Sequence, residues 1–290
     1  MVYKLVPPAV TGGTWIEQSL YAFTANNFDG RLPAPAALTM NTQGIIYGVT
    51  SRGGTWDSGV IYQLAPATGG TYTETVLYSF GDLTDASTPS GPLTMDSSGA
   101  LYGVTSLGGV FNSGTVYKFV PAANGQLAVE SILFSFKAVG NLLFDSTGNL
   151  FGVTNGGGSG NDDGVIYKLA PAKAAWSETI LYIFSKASGS HPVAGLTWNP
   201  STGALYGTTS SQNGKTTGDG SVFQLLPPTI VGGAWTESTL FPFTYPTVGG
   251  YPTGTVTRDP ITGTLYGTAI NGGVTGCDLF CGTIWQITIP

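Results

Sequence analysis

The sequence has little charge and few of the residues that build metal or redox sites. Only 9% of its 290 residues are charged, ten of them Lys or Arg, and the net charge at pH 7 is −6. A chain without a basic cluster is a poor partner for nucleic acid or for an anionic membrane surface. The single histidine, His191, excludes a histidine-rich metal site.

Long apolar runs are also missing. No stretch reaches the roughly 18 consecutive apolar residues of a transmembrane helix, so we expect no membrane insertion. The first ten residues, MVYKLVPPAV, lack the apolar core of a signal peptide and look like a later repeated segment, which favours a trimmed or processed chain. The two cysteines, Cys277 and Cys281, lie in one loop, where we expect a disulfide and hence an oxidising compartment.

Glycine, proline and aromatic residues are abundant, and they recur in a repeated pattern. The chain has 44 Gly and 18 Pro, and 12% of its residues are aromatic. The clearest repeat holds four short apolar runs, named A to D: GPLTMD (91–96), ALYGVTS (100–106), GTVYKF (114–119) and ESILFSF (130–136). Such runs are too short for helices and are apolar at consecutive positions, so they predict strands covered on both faces.

Runs A, B and D occur five times and run C six times. Stacked four-stranded antiparallel sheets are typical of a β-propeller, with one repeat per blade, and a linear β-solenoid is the alternative. We expect an all-β, five-bladed propeller forming a single domain over residues 1–290, with repeats at 37–80, 91–136, 140–184, 194–243 and 254–290.

The last repeat lacks run D. Residues 1–23 would complete it and close the ring between the N- and C-terminal strands, which removes exposed sheet edges. One copy of run C, Val2–Leu5 or Thr283–Ile287, is then surplus.

The pattern P-x-x-G-L-x-x-D, G-x-L-Y-G-T-T-x-x-G-G, G-T-V-[YF]-K-L and E-T-x-L-Y-S-F resembles the GloVer tandem repeats of bacterial surface and secreted proteins. The resemblance covers essentially the whole chain. It implies an exported, propeller-like protein that is extracellular, on the cell surface or periplasmic. It implies no catalytic residues.

We expect a site on the face that carries the B-to-C and D-to-A loops. Aromatic rings beside Asp and Asn are typical of glycan or peptide recognition, because ring faces stack while polar edges hydrogen-bond. The alternative is that these side chains fold back onto the blade. Arg52 is a further loop residue without a counterpart in every repeat. The candidate ligand-binding residues are Trp56, Asp57, Phe111, Asn112, Asp162, Asp163 and Phe280.

We expect no cofactor, with calcium as the alternative. Calcium takes about six to eight oxygen ligands, and Asn161, Asp162 and Asp163 are the best local candidates, although no loop has alternating D-x-D-x-D spacing.

Five glutamates begin the copies of run D: Glu17, Glu74, Glu130, Glu178 and Glu237. Equivalent positions lie on separate blades, whereas paired acid–base catalysis needs two carboxyls within about 5–10 Å. We therefore expect structural cross-strand pairs between these glutamates and Lys or Gln of run C, namely Lys4, Gln63, Lys118, Lys168 and Gln224.

For function, we expect a non-enzymatic exported or cell-surface module that binds a glycan or a protein through the loop-rich face. One alternative is a structural brick of a surface layer, fibre or adhesin, which would associate through the surplus strand or otherwise stay monomeric. The other alternative is a polysaccharide hydrolase or lyase.

Overall fold

The computed structural model describes residues 1–24, 29–34, 37–81, 85–122, 127–136, 138–158, 162–173, 175–211, 219–244, 249–272 and 282–289. It divides into two compact units, Met1–Ser135 and Phe136–Pro290. Five antiparallel sheets of four or five strands give the chain the predicted fold of a five-bladed β-propeller. The single domain over 1–290 stays a prediction. Within the described part, no helix is long and apolar enough to cross a membrane.

The first unit holds a two-stranded sheet and two blades. The small sheet contains β1 (Val2–Val6) and β2 (Ile16–Tyr21). The first blade contains β3 (Gly30–Pro33), β4 (Thr39–Met40), β5 (Ile46–Gly53), β6 (Val60–Pro66) and β7 (Tyr72–Ser79), with a short 3-10 turn at Thr68–Gly70. The second contains β8 (Ala86–Pro89), β9 (Thr94–Met95), β10 (Leu101–Gly108), β11 (Thr115–Val120) and β12 (Val129–Ser135).

The second unit holds three further blades. The first of them contains β13 (Ala138–Phe144), β14 (Leu150–Thr154), β15 (Val165–Pro171) and β16 (Trp176–Ile183). The next contains β17 (Ser190–Pro192), β18 (Thr197–Trp198), β19 (Leu205–Ser211), β20 (Ser221–Leu226) and β21 (Thr236–Pro242). The last contains β22 (Gly250–Pro252), β23 (Thr257–Arg258), β24 (Leu265–Asn271) and β25 (Thr283–Ile287).

Run A is longer than predicted and is broken in four of the five blades. In the second blade, for example, β9 covers the predicted run, and β8 pairs with the far end of β10. The break follows Pro89, which cannot donate a hydrogen bond to a sheet. The added segments, which end in Pro33, Pro89, Pro192 and Pro252, carry the inner strand up to the loop-rich face.

The surplus copy of run C is β1, and it pairs with β2 along Val2–Val6. Strand β2 is the copy of run D that we expect to complete the last blade. Since its described partner is β1, the ring closure by residues 1–23 and the self-association through the surplus strand stay predictions.

Each blade is centred on an aromatic ring that packs over a glycine. The glycine of run B lies directly opposite the aromatic residue of run C, and a Cβ would overlap the ring. At Gly207 this Cβ would lie 2.6 Å from Phe223 Cζ. These glycines do not have positive φ, so space rather than backbone freedom requires them. The pairs are Gly48–Tyr62, Gly103–Tyr117, Gly152–Tyr167, Gly207–Phe223 and Gly267–Trp285.

Backbone hydrogen bonds tie neighbouring blades together within each unit. In the first unit, Thr88 N donates to Ser58 O at 2.8 Å. In the second unit, His191 N donates to Asp163 O at 2.8 Å. Each donor precedes a proline and has a left-handed φ, 57° at Thr88 and 56° at His191. The ties hold the B-to-C loop of one blade against the inner strand of the next.

The predicted cross-strand pairs between the glutamates of run D and Lys or Gln of run C are wrong. Each glutamate lies opposite an apolar residue of run C, whereas Lys118 lies opposite Ser131 and its Nζ is 5.4 Å from the Tyr102 ring centroid. A one-residue offset in register places the two side chains on opposite faces of the sheet. In order along the chain, the five glutamates face Leu5, Leu64, Phe119, Leu169 and Leu225.

This placement partly buries the carboxyls. Burial, helped by the Asp29 carboxylate, raises the pKa of Glu74 to about 7. Burial, helped by the Asp85 carboxylate, likewise raises the pKa of Glu130 to about 7. The same arrangement in two blades points to a structural role for both glutamates.

We expect Gly103→Ala to lower the free energy of unfolding by about 1–3 kcal/mol, because the added methyl overlaps the Tyr117 ring. Urea unfolding followed by tryptophan fluorescence would measure this. The control is Tyr117→Phe. It removes a buried hydroxyl that has no hydrogen-bond partner among the described residues, and Phe223 fills the same place in another blade. Equal stability of Gly103→Ala and the wild type would show that the ring can move aside.

We expect the melting temperature to fall as the pH rises from 5 to 8. The pKa values of Glu74 and Glu130 are raised from 4.5 to about 7 on folding, so the folded state binds more protons in this window. Their contribution to stability is complete below pH 4.5 and is lost as the pH passes about 7. Glu74→Gln with Glu130→Gln should flatten the fall, measured by calorimetry, whereas Glu17→Gln, at an exposed copy, should not. A fall as steep in the double variant as in the wild type contradicts this assignment.

Candidate functional site

The B-to-C loops of the first two blades share one template. Their sequences, Gly-Gly-Thr-Trp-Asp-Ser-Gly at 53–59 and Gly-Gly-Val-Phe-Asn-Ser-Gly at 108–114, have equal length. Gly53 N donates to Asp57 Oδ1 at 2.8 Å, and Gly108 N donates to Asn112 Oδ1 at 3.0 Å. Both Asx residues have left-handed φ, which Asp and Asn tolerate better than most residues. Asp57 and Asn112 therefore close their loops in the same way.

The aromatic residues at the tips of these loops project into solvent. Trp56 is 67% exposed and Phe111 is 75% exposed. The backbone carbonyl of each accepts a hydrogen bond from the serine two residues later, at 3.3 Å from Ser58 Oγ and 3.1 Å from Ser113 Oγ. The loops thus hold their rings outward, and the alternative in which these rings fold back onto the blade is not observed.

The corresponding residues of the second unit differ in burial. Asp162 has a left-handed φ and its Oδ1 accepts a hydrogen bond from Gly157 N, so it closes its loop as Asp57 does. Asp163 is only 3% exposed, and its Oδ2 has no hydrogen-bond partner in the described part of the chain. Asp163 is therefore not presented to a ligand at the surface in the way that Trp56 and Phe111 are.

Several predicted residues lie outside the described ranges: Phe280, Asn161, Cys277 and Cys281. The disulfide and the calcium site stay predictions. Among the residues that the structure does describe, no three His, Cys, Asp or Glu side chains converge to hold a metal ion.

Two arginines and Asp57 line an open cleft in the first unit. The cleft has a volume of about 500 Å³, and Phe23, Leu32 and Pro33 form its apolar wall. Arg31 Nη2 lies 2.5 Å from Asp57 Oδ1, and Arg52 Nη1 lies 4.0 Å from Asp57 Oδ2. The hydrogen bonds from Arg31 and from Gly53 N hold the pKa of Asp57 below its ordinary value. Asp57 is consequently an ionised, half-exposed carboxylate in a cleft.

Asp29 is a buried residue that fixes the backbone next to this cleft. It is 6% exposed, and its side chain accepts hydrogen bonds from Thr24 N at 2.6 Å, Thr24 Oγ1 at 3.0 Å, Tyr21 OH at 3.1 Å and Gly30 N at 2.7 Å. Asp85 makes the equivalent contacts with Tyr78 OH, Gly81 N and Ala86 N in the second blade. Asp29 thus fixes the start of β3, next to Arg31.

Sequence reasoning missed Arg31 and Asp29. The spacing D-x-x-x-P, present at Asp29–Pro33 and Asp85–Pro89, was the available signal for the structural aspartates. Arg31 stands where Ser87 stands in the second blade, but only the strand register shows that it lies opposite Arg52.

A family model described as the Gloeobacter/Verrucomicrobia repeat matches residues 1–141 and 138–290, which confirms the resemblance seen in the repeats. An endo-arabinase from Bacteroides thetaiotaomicron has 16% identity and a TM-score of 0.47, over 93% of this chain and 99% of that one. The Penicillium chrysogenum α-L-arabinanase complexed with arabinobiose has 16% identity and a TM-score of 0.54, over 99% and 85% respectively. No curated protein sequence matches the chain.

Proposed function

We propose that the chain, which belongs along its whole length to the Gloeobacter/Verrucomicrobia repeat family, is an exported protein that hydrolyses a polysaccharide. The fold that it shares with the Penicillium arabinanase supports an enzyme acting on glycans. That likeness corrects the expectation of a non-enzymatic binding module in favour of the hydrolase alternative. Because a fold can host many functions, the site must carry the argument.

The observation that carries the proposal is the ionised carboxylate of Asp57 in the cleft. Glycoside hydrolysis pairs such a carboxylate, which activates water or attacks the anomeric carbon, with a second carboxyl group that protonates the leaving oxygen. We assign the first of these two roles to Asp57. Closing the loop does not require the charge, since Asn112 closes the second loop with the same hydrogen bond. Loop closure therefore does not account for the charge of Asp57, and the hydrogen bond from Arg31 helps to keep this carboxylate ionised.

The exposed rings support binding of a sugar chain. Trp56 directly precedes Asp57, and Phe111 occupies the same position on the neighbouring blade. Aromatic faces at the surface stack on the apolar faces of pyranose or furanose rings, while nearby polar groups fix their orientation. We propose that a polysaccharide runs across these two loops and reaches the cleft beside Asp57.

We expect Asp57→Asn to lower hydrolysis by about 10²–10⁴-fold while leaving the loop intact, because Asn112 shows that the amide fits this position. The measurement is reducing-sugar release from a panel that includes arabinan and polygalacturonate. The matched control is Asp162→Asn, which removes a loop-closing carboxylate of the second unit.

Full activity in Asp57→Asn would rule out Asp57 as the reacting carboxylate. An unsaturated product, detected by mass spectrometry, would show that the enzyme cleaves the polysaccharide by elimination and not by hydrolysis. If the folded protein releases no sugar from any substrate of the panel, the proposed function fails.

We expect Trp56→Ala with Phe111→Ala to raise KM by about tenfold or more and to change kcat little, because stacked rings contribute uniform binding along the chain. Steady-state kinetics on the substrate found in the panel would measure this. Trp15→Ala is the control, since Trp15 is also exposed but directly precedes β2. A loss of kcat with unchanged KM would show that these two rings do not contribute to substrate binding.

A further inference from the structure

Two arginines lie directly opposite each other in the first blade. The register of β3 and β5 pairs Arg31 with Arg52. Like charges at opposing positions of neighbouring strands destabilise a sheet. The pair is also conspicuous by composition, because the whole chain contains only three arginines and carries a net charge of −6.

The fold itself does not require these charges. At the same register, the second blade pairs Ser87 with Leu107. The blades of the second unit that contain β17 and β22 pair Ser190 with Ser211 and Gly250 with Asn271. Small, polar or apolar residues thus satisfy this position, and the arginine pair is specific to the first blade.

Asp57 compensates only part of this charge. It forms a close ion pair with Arg31, whereas its distance of 4.0 Å from Arg52 Nη1 is too long for a hydrogen bond. Arg31 Nε is buried and has no hydrogen-bond partner in the described structure. Among the charged side chains that line the cleft, two guanidinium groups thus face one carboxylate, while the Asp29 carboxylate lies buried beside them and accepts hydrogen bonds from Tyr21, Thr24 and Gly30.

We infer that this cleft binds a carboxylate of the substrate, and hence that the polysaccharide contains uronic acid residues. The inference rests on the proposed function and names its substrate class. A guanidinium group binds a carboxylate through two parallel hydrogen bonds, which a neutral sugar cannot match in charge. The wall formed by Phe23, Leu32 and Pro33 offers an apolar surface to the sugar ring that carries the acid.

Affinity electrophoresis tests this with two polymers that share one backbone. Polygalacturonate should retard the protein in a native gel, and fully methyl-esterified polygalacturonate, which lacks the negative charge, should not. Arg52→Gln and Arg31→Gln should each weaken binding to polygalacturonate by about tenfold or more. The matched control, Arg258→Gln, removes the third arginine and should bind as the wild type does, with thermal melting confirming that each variant is folded.

The outcomes separate this inference from the proposed function. Asp57→Asn should lose hydrolysis yet bind polygalacturonate at least as tightly, because it removes a competing carboxylate. Hydrolysis of neutral arabinan with equal retardation by the two polymers would overturn the uronate inference and leave the hydrolase proposal standing. If dextran sulfate binds more tightly than polygalacturonate and this binding is lost in Arg52→Gln, the group that the cleft binds is a sulfate and not a carboxylate. No retardation by any anionic polymer would overturn the inference that the cleft binds anions.

Discussion

The packing of one aromatic ring onto one glycine is the contact on which every blade depends. The ring of run C fills the volume that a side chain on run B would occupy. A phenylalanine from the end of the preceding run D then packs against the same ring, edge to face. Phe23 meets Tyr62 at 5.0 Å, and Phe80 meets Tyr117 at 5.2 Å. In the second unit, Phe184 meets Phe223 at 5.2 Å.

This three-residue contact explains why three separate motifs recur together. The glycine of L-Y-G, the aromatic residue of run C and the last phenylalanine of run D are parts of one packing unit, which joins a strand pair to the preceding run D. Removing any of them leaves a cavity or an overlap in a densely packed interior. The loops carry no such requirement, so they differ between blades, and binding residues accumulate there.

The sequence repeats made the fold predictable, whereas the site depends on the pairing register of neighbouring strands. Short apolar runs with fixed spacing were enough to predict blades, strands and the loop-rich face. The Glu–Lys pairs were predicted wrongly because one residue of offset between run C and run D reverses the face of each side chain. The partnership of Arg31 and Arg52 was out of reach for the same reason, as it needs the pairing of β3 and β5. Trp56 and Asp57 could be found because they interrupt a repeated loop with an aromatic ring and a charge.

The B-to-C loops of the first two blades have the same conformation but differ in charge, and this difference links the fold to a function. The loops at 53–59 and 108–114 have the same length and the same closing hydrogen bond, so the exchange of Asn for Asp changes charge without changing shape. Placing Arg31 and Arg52 beside that carboxylate costs stability that Ser87 and Leu107 avoid in the second blade. The second blade keeps the same strand register and the same loop closure without these three charges, so the scaffold does not require them, and the proposed charged ligand accounts for their presence.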